Sequence, residues 1–256
     1  MSEIISVHSF RGGTGKSNVT ANLAAIVASY GKKVAIVDTD IQSPGIHILF
    51  GFDEEKMTRS LNDYLWGNCP IQDAAYDVSK VFKDKVPSAT KIFLIPSSLR
   101  SGEITKVLRE GYDVGLLNEG FNELIDTLNL DYLFIDTHPG LNEETLLSIT
   151  ISDILLLLLR PDRQDFQGTA VTVEVARKLQ VPKMLLMVNK ALPSLDFKAL
   201  KEKIESIYSV PVAGILPVAE EMIQLGSSDL FCLKEPNHPF SQVISNVAQR
   251  IIKEPE

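Results

Sequence analysis

The amino-acid sequence predicts an α/β protein: a mostly parallel, twisted sheet of about seven or eight strands with helices on both faces. Short apolar runs alternate with segments of helical periodicity along the chain. The apolar runs are nearly continuous, as in Ile154–Leu159, which is typical of parallel strands buried on both faces. No linker, repeat or low-complexity segment interrupts the alternation, so we expect residues 1–256 to form a single domain.

Composition indicates an ordinary globular protein and argues against several functional classes. The 256 residues are 45% hydrophobic and 23% charged, with a net charge of −8 at pH 7. An acidic chain is not an obvious ligand for nucleic acid or anionic membranes. Cys69 and Cys232 form no C-x-x-C pair, which argues against a zinc site and favours a reducing compartment, so we expect a cytoplasmic protein. The N-terminus lacks a signal-peptide pattern, and apolar runs such as Ile154–Leu159 are too short to span a bilayer.

The first elements are a strand, a helix and a second strand. The apolar run Ile4–Val7 predicts the first strand, and apolar residues at helical spacing predict a helix over Asn18–Tyr30. Gly31 ends that helix, as glycine commonly does. Lys33–Val37 predicts a second buried strand. A proline and two glycines predict a loop for Ile41–Phe52.

Residues 53–90 give the weakest pattern in the chain. Ser60–Trp66 predicts a short helix whose aromatic residues belong to the core, and Ile71–Val81 is a second candidate for a helix. The strand pattern returns at Lys91–Pro96.

The second half of the chain repeats helix and strand regularly. Helices are predicted over Glu103–Arg109, Val114–Leu128, Asn142–Ile151, Gln164–Leu179, Asp196–Tyr208 and from about Pro239 to Ile252. Strands are predicted over Tyr132–Asp136, Asp153–Arg160, Val181–Asn189 and Val210–Leu216. Arg160–Arg163 is interpreted as a solvated charged loop, and Asp196 as a helix N-cap.

The segment between the first strand and the first helix, Ser9–Ser17, predicts an anion site. A glycine-rich turn at a helix N-terminus presents several backbone N–H groups and the positive end of the helix dipole to one point. Lys16 supplies a charge for the outer phosphates, and Ser17 supplies a hydroxyl for Mg²⁺. An ordinary glycine turn is the alternative, which the strand–loop–helix context disfavours. The residues expected to contact the nucleotide here are Gly12, Gly13, Thr14, Gly15, Lys16, Ser17 and Asn18.

This loop resembles the deviant Walker A motif, K-G-G-x-G-K-[ST], of the MinD/ParA family of P-loop ATPases. Phe10 stands where the standard P-loop has its first glycine, and Arg11 stands where the family has its signature lysine. The resemblance covers nearly the whole chain and implies a P-loop NTPase fold, Mg²⁺ and ATP as cofactors, and an ATP-dependent homodimer. In that family the signature lysine reaches the partner's nucleotide. Arginine keeps the charge, so we expect Arg11 to keep this catalytic role; a solvent-facing Arg11 is the alternative.

Carboxylates follow two of the predicted strands. In phosphate-loop enzymes a carboxylate at the position of Asp136 holds Mg²⁺ together with a hydroxyl such as that of Ser17. The turn after Asp136 resembles the family's D-x-P-x-G turn, and the N–H of Gly140 is expected to approach the terminal phosphate. By the same resemblance Asp40 orients the attacking water, and Asp38 helps to hold the metal. The alternative for this pair is a strand-end cap and a solvated loop acid.

Asn189 and Pro217 are the candidates for the base site. Asn189 resembles the family's adenine-reading asparagine, whose amide offers both a donor and an acceptor. Pro217 resembles the loop that covers the base. The guanine motif N-K-x-D is absent, since Ala191 and Leu192 follow Lys190. His138, taken to be the only histidine near the site, is interpreted as a turn residue that caps backbone carbonyls, with proton shuttling as the alternative.

The resemblance implies an ATPase that dimerises with ATP, is slow without a partner, and positions or partitions cellular cargo through an activating or adaptor protein. Two alternatives stay open: a nucleotide-gated scaffold with little hydrolysis, which Arg11 keeps in view, and a metallocentre-maturation ATPase, which a shortage of metal ligands disfavours. Nonspecific DNA binding has only weak support, because acids accompany the basic residues of the late helices. Ile251–Glu256 contains two acids and a proline, so we expect no membrane-docking helix there.

Overall fold

The computed structural model describes residues 2–83, 86–87 and 90–253. Its strands, numbered β1 to β8 in chain order, are Glu3–His8, Lys33–Asp38, Tyr76–Asp77, Lys91–Ile95, Tyr132–Asp136, Ile154–Leu159, Lys183–Ala191 and Val212–Pro217. They form one eight-stranded sheet in the order β3-β4-β2-β5-β1-β6-β7-β8. All neighbouring strands are parallel except β3, which pairs antiparallel with β4. The predicted fold class is confirmed.

The α-helices of the described residues cover both faces of this sheet. Numbered α1 to α10 in chain order, they are Lys16–Ser29, Leu61–Leu65, Ser101–Glu110, Gly115–Leu128, Glu143–Thr150, Arg163–Lys178, Phe197–Tyr208, Glu220–Leu225, Phe231–Lys234 and Pro239–Lys253. The main predicted helices and strands are present, and none of their ends is shifted by more than two residues. None of these helices has both the length and the apolar content needed to cross a bilayer. The expectation that no membrane-docking helix ends the sequence rested partly on Glu254–Glu256. These three residues lie outside the described part of the chain.

The buried apolar side chains of the described residues form three clusters on the two faces of the sheet. One cluster joins α1, α9 and α10 to the sheet, a second lies under α2 and α4, and a third lies under α6 and α7. In β5, Phe134 faces the first cluster, whereas Leu133 and Ile135 face the second, as the two-residue period of a strand requires. Helix α1 is buried over most of its surface, including Leu23 at 0% exposure. The helix that begins at the glycine-rich loop is therefore held rigidly.

Two predictions for the region before β4 are wrong. Ile71–Val81 is not one helix, because 3₁₀ turns at Ile71–Ala74 and Ser79–Phe82 flank β3. Tertiary contacts override the local pattern here, since β3 pairs with the edge of β4 and Tyr76 hydrogen-bonds to the backbone of Arg59. The predicted loop after β2 contains a 3₁₀ helix whose apolar side chains are buried, at Ile46–Phe50.

The parallel strands place the predicted site residues at one edge of the sheet. β1 lies between β5 and β6, and β5 also pairs with β2. In register, Asp136 lies beside Val7 on one side and beside Asp38 on the other. Ligands of such sheets bind beyond the carboxyl ends of the strands. The loop between β1 and α1 begins at this edge.

Candidate functional site

The glycine-rich loop has the backbone geometry of an anion site. Gly13 and Gly15 have φ angles of +76° and +94°, in the left-handed region that favours glycine. Gly15 immediately precedes α1, and no side chain caps the N-terminus of that helix. The first N–H groups of α1 therefore have neither an intrahelical partner nor a side-chain cap. A phosphate oxygen is a suitable acceptor for them.

Hydrogen bonds within the chain preform the loop. The Ser9 hydroxyl donates to the Arg11 carbonyl at 2.7 Å, and the Thr14 hydroxyl donates to Ser9 Oγ at 2.9 Å. The Gly140 N–H donates to the Ser9 carbonyl at 3.2 Å. This hydrogen bond joins the turn after Asp136 to the loop, and the approach of the Gly140 N–H to a terminal phosphate stays a prediction.

Lys16, Ser17 and Asp136 converge beside the loop. Lys16 is 7% exposed, and Asp136 is 1% exposed. Asp136 accepts hydrogen bonds from the hydroxyls of Thr20, at 3.2 Å, and Ser17. Burial raises the pKa of Asp136 to about 6, against the opposing effects of Lys16, Ser17 and Thr20. The structure thus brings together the predicted phosphate-binding lysine and two of the predicted metal ligands.

Asp38, the third predicted metal ligand, is a buried carboxylate beside Asp136. It is fully buried, and its Oδ1 and Oδ2 accept the N–H groups of Asp40, at 3.1 Å, and Gly45, at 3.3 Å. Burial, followed by repulsion from Asp136 and Asp40, raises the pKa of Asp38 well above its usual range. A divalent cation between two such carboxylates relieves their repulsion.

The described residues contain no cluster of three or more His, Cys, Asp or Glu side chains arranged to hold a metal by themselves. Mg²⁺ commonly binds through one or two carboxylates and completes its shell with water and substrate phosphates. The pair Asp38 and Asp136, with the Ser17 hydroxyl, fits that kind of site.

Asp40 lies just beyond β2, at the edge of the same site. Its Oδ1 accepts hydrogen bonds from the backbone N–H of Ser43 at 3.2 Å and from its hydroxyl at 2.9 Å. His138 Nε2 lies 3.8 Å from the same oxygen, and His138 Nδ1 lies 2.7 Å from the Pro139 carbonyl. The second contact agrees with the interpretation of His138 as a turn residue.

A second histidine, His8, lies near the site, so the expectation that His138 is the only one is wrong. His8 ends β1 and is fully buried, with Nδ1 2.8 Å from the Thr137 hydroxyl. Because that hydroxyl donates its proton to the Val7 carbonyl, it accepts from His8 Nδ1–H. Burial, with the nearby Lys16 and His138, lowers the pKa of His8 to about 3. The position of His8 directly before the glycine-rich loop is the sequence feature that could have indicated its closeness to the site.

Arg11 contacts the first turn of α6 in its own chain. Its Nη1 donates to Gln164 Oε1 and lies 3.7 Å from Asp165 Oδ1. The Arg11 side chain is 40% exposed, whereas that of Asp165 is 3% exposed. The predicted alternative of an arginine that faces only solvent therefore does not describe this structure.

The segment interpreted as a solvated charged loop is a partly exposed loop over Arg160–Asp162, and Arg163 begins α6. The Asp162 side chain caps α6 by accepting the N–H groups of Gln164 and Asp165, at 3.1 and 3.0 Å. The Arg160 backbone N–H and Nε donate to Asp165 Oδ2, at 2.9 and 3.1 Å. These hydrogen bonds fix the N-terminal turn of α6, which Arg11 contacts.

Phe10 packs against the same helix. A Cβ atom on Gly168 would lie 2.2 Å from Phe10 Cδ1, so only glycine leaves room for this ring. The aromatic side chain at the usual position of the first P-loop glycine thus anchors the loop to α6.

A cavity of about 300 Å³ lies between the start of α1 and the ends of β7 and β8. Asn189, predicted to end a strand, lies within β7, which continues to Ala191. Its Nδ2 donates to the Thr14 carbonyl at 2.7 Å, and its Oδ1 accepts from the Lys190 N–H at 2.8 Å. The cavity is also lined by Asn18 and Pro217, two residues expected to contact the nucleotide, and by apolar residues that the sequence analysis missed: Val218, Ala219, Met222 and Phe240.

Comparisons with known proteins agree with this geometry. A family profile described as an AAA domain matches residues 2–188. An uncharacterized ATP-binding protein of Methanocaldococcus jannaschii is 30% identical over 253 residues, which cover 97% of this chain and 87% of that protein. The septum site-determining protein MinD of Synechocystis is 25% identical over 258 residues, which cover 98% of this chain and 90% of that protein.

Solved structures show the same fold. MinD of Pyrococcus horikoshii, complexed with Mg-ADP, matches with a TM-score of 0.81 and 23% identity, over 99% of this chain and 97% of that one. A ParA family ATPase of Chlorobium tepidum matches with a TM-score of 0.75 and 18% identity, over 97% and 99% of the two chains. The predicted resemblance to MinD and ParA ATPases is confirmed at the level of fold and family.

Proposed function

Because the chain belongs to the AAA domain family and has the fold of the MinD and ParA ATPases, we propose that it binds Mg²⁺-ATP, dimerises with it and hydrolyses it slowly. In this proposal residues 1–256 act as one domain, in the cytoplasm. The observation that carries the nucleotide part is the convergence of buried Lys16 and Asp136 beside an uncapped helix N-terminus.

The residues present fit Mg²⁺-ATP. Gly13 and Gly15 supply the left-handed backbone that turns loop N–H groups toward one point, and Lys16 supplies the charge for the outer phosphates. Ser17, Asp38 and Asp136 would hold the cation. Burial raises the pKa values of the two carboxyl groups, and a positive ion beside them would stabilise their charged forms. When bound, Mg²⁺ neutralises charge that develops on the phosphates.

Asp40 is the proposed residue for orienting the attacking water. It lies at the same sheet edge as Asp38 and Asp136, but its side chain is partly open, at 13% exposure. Phosphoryl transfer relies on positioning and charge, so a fixed carboxylate acceptor contributes by holding the water in line. The two hydrogen bonds from Ser43 fix Oδ1 of this carboxylate.

The base site is proposed to select adenine through Asn189. A primary amide has two N–H donors and two acceptor lone pairs on its oxygen. One N–H of Asn189 donates to the Thr14 carbonyl, and its oxygen accepts one hydrogen bond from the Lys190 N–H. One donor and one acceptor of the amide are left for the adenine edge. Pro217 and the apolar wall of the cavity would cover the flat faces of the ring.

Arg11 is proposed to act across the dimer. Its hydrogen bond to Gln164 is exposed, and Arg11 has to leave its contacts with Gln164 and with the buried Asp165 to reach a partner's nucleotide. An arginine supplied by a second chain stabilises charge on a transferring phosphoryl group in other nucleotide hydrolases.

The cellular role is proposed from the relatives. Relatives named septum site-determining protein MinD support a role in positioning cargo, which we propose to act through an activating or adaptor protein.

A nucleotide-gated scaffold with little hydrolysis is the second candidate. The observation that favours it is Arg11 itself, which replaces the signature lysine and is held on α6. Turnover of ATP by the parent protein separates the two candidates, because both bind nucleotide and dimerise.

Competition with a labelled ATP analogue in the presence of Mg²⁺ tests the proposal. ATP is expected to displace the probe, GTP to compete poorly, and Lys16→Ala to lose binding because the loop loses its buried charge. Lys178→Ala, at an exposed position near the end of α6, is the matched control and should bind normally. Equal displacement by GTP contradicts adenine selection, and undiminished binding by Lys16→Ala contradicts the assignment of the loop.

A further inference from the structure

The end of β7 holds two consecutive carbonyl groups of the phosphate loop. Lys190 Nζ donates to the Gly13 carbonyl at 2.8 Å, and Asn189 Nδ2 donates to the Thr14 carbonyl at 2.7 Å. A loop that turns its N–H groups toward an anion turns carbonyls the other way, and these need donors of their own. Asn189 and Lys190 supply two such donors from one point of the sheet.

The backbone at Lys190 is shaped for this contact. Lys190 has a φ of +56°, a left-handed conformation that is unfavourable for a residue with a long side chain. The pairing of β7 with β8 is irregular between Val188 and Ala191, as expected for a bulge that re-aims side chains. The Lys190 N–H donates to Asn189 Oδ1 at 2.8 Å, which supports the turn. Unfavourable backbone of this kind persists where a local contact depends on it.

Lys190 also borders the cavity assigned to the base. It lines the volume of about 300 Å³ together with Gly15, Asn189 and Pro217. A Cβ atom on Gly15 would lie 2.5 Å from Asn189 Nδ2, so the loop and the end of β7 are in tight contact there. One lysine therefore borders the base cavity and contacts the phosphate loop at its tip.

We propose that Lys190 is a positioning residue that couples the base cavity to the phosphate loop. A base against the lysine stem restricts the side chain and so strengthens its hold on the Gly13 carbonyl. The held loop then presents its N–H groups to the phosphates before they arrive. This inference rests on the proposed nucleotide binding and adds a residue to it.

The coupling predicts different effects on ligands that fill one or both parts of the site. Lys190→Met keeps most of the stem but loses the donor, so ATP binding should weaken by about five-fold, the typical net contribution of one hydrogen bond. Adenosine, which lacks phosphates, should lose less affinity than ATP, because it feels only the reciprocal coupling and makes no use of the N–H groups that the held loop presents. Lys190→Arg restores a long donor and should bind ATP nearly as the parent does.

The test is a titration of parent, Lys190→Met and Lys190→Arg with Mg²⁺-ATP and with adenosine, and a measurement of kcat and KM. Lys203→Met, an exposed position on α7, is the control. We expect a raised KM with kcat nearly unchanged, because Lys190 contacts the loop and not the reacting atoms. The melting temperature without nucleotide should stay within a few degrees of the parent's; if it does not, Lys190→Gln replaces Lys190→Met.

The outcomes separate this inference from the proposed function. A parent protein that fails to bind ATP overturns the proposed function and this inference together. A parent that binds ATP while the methionine variant binds it equally well overturns the inference alone. Equal weakening of ATP and adenosine also overturns it, because the lysine then serves only the cavity.

Discussion

Arg11 and Gln164 join the phosphate loop to the first turn of α6. Arg11 Nη1 donates to Gln164 Oε1, and the Asp165 carboxylate lies 3.7 Å from the same nitrogen. The residue at the family's signature position is therefore engaged within its own chain. A role across a dimer requires Arg11 to exchange this contact for a partner's phosphate, so under the proposed function the contact with Gln164 opposes dimerisation.

Gln164→Ala should strengthen ATP-dependent dimers by removing that competing contact. One partly exposed hydrogen bond corresponds to a change of about two- to ten-fold in the dimer dissociation constant. Sedimentation equilibrium with a non-hydrolysed ATP analogue measures it. Gln167→Ala, at an exposed position farther along α6, should leave the dimer unchanged. Weaker or unchanged dimers in Gln164→Ala would show that the contact between Arg11 and Gln164 does not compete with dimerisation.

Asp40→Ala should bind ATP normally, accumulate as a dimer and hydrolyse ATP at least about ten-fold more slowly. Removing a water-positioning carboxylate affects the transition state more than the bound ground state. Asp40→Asn is the matched control for structure, because its amide oxygen can still accept the bonds from Ser43. Phosphate release under single-turnover conditions measures the effect, and unchanged turnover in both variants would show that Asp40 is structural.

Gly15→Ala should weaken nucleotide binding by about 5- to 150-fold while the sheet stays folded. The φ of +94° disfavours any side chain at this position, and a Cβ would lie 2.5 Å from Asn189 Nδ2. The strain is about 1–3 kcal/mol and falls on the start of α1, where the phosphates are proposed to bind. Gly102→Ala, which has open space around its Cβ position in α3, should bind as the parent does. Calorimetric titration with ATP distinguishes them, and normal binding by Gly15→Ala would contradict the site.

His8 should make the protein less stable as the pH falls below about 6.5. Burial lowers the pKa of His8 to about 3, so between these two values the unfolded chain binds a proton that the folded chain does not. The loss attributable to His8 between pH 7 and pH 5 is about 2 kcal/mol of unfolding free energy. Urea unfolding of the parent and of His8→Asn, whose amide can still donate to Thr137, measures it. Equal pH dependence in both proteins would refute the assignment.

The sequence predicts the parts of this molecule that depend on local pattern. The loop from Ser9 to Ser17, the strand-end acids Asp38 and Asp136, and the alternation of strands and helices follow from periodicity, glycine and helix-terminus chemistry. Other features depend on contacts between distant segments. The hydrogen bond of Arg11 to Gln164, the packing of Phe10 on Gly168 and the apolar wall of the base cavity have no local signal.

The edge of the sheet is a second region that local sequence pattern does not predict. Ile71–Val81 has the composition of a helix, yet pairing of its central residues with β4 divides it into two turns and a short strand. Propensity is a weak signal where an unpaired strand edge is available. His8 was missed for a different reason, because a histidine at the end of a strand is equally typical of a core residue.

The central claim is that ATP joins two copies of this chain through Arg11. Light scattering coupled to sizing tests it directly on the parent, Arg11→Ala and Arg11→Lys, each with Mg²⁺ and a non-hydrolysed ATP analogue or ADP. The account predicts about twice the chain mass of 28.3 kDa for the parent and Arg11→Lys with the analogue, and one chain mass for Arg11→Ala and for every sample with ADP. Dimers of Arg11→Ala equal to those of the parent, or a parent that stays monomeric with the analogue bound, would contradict it.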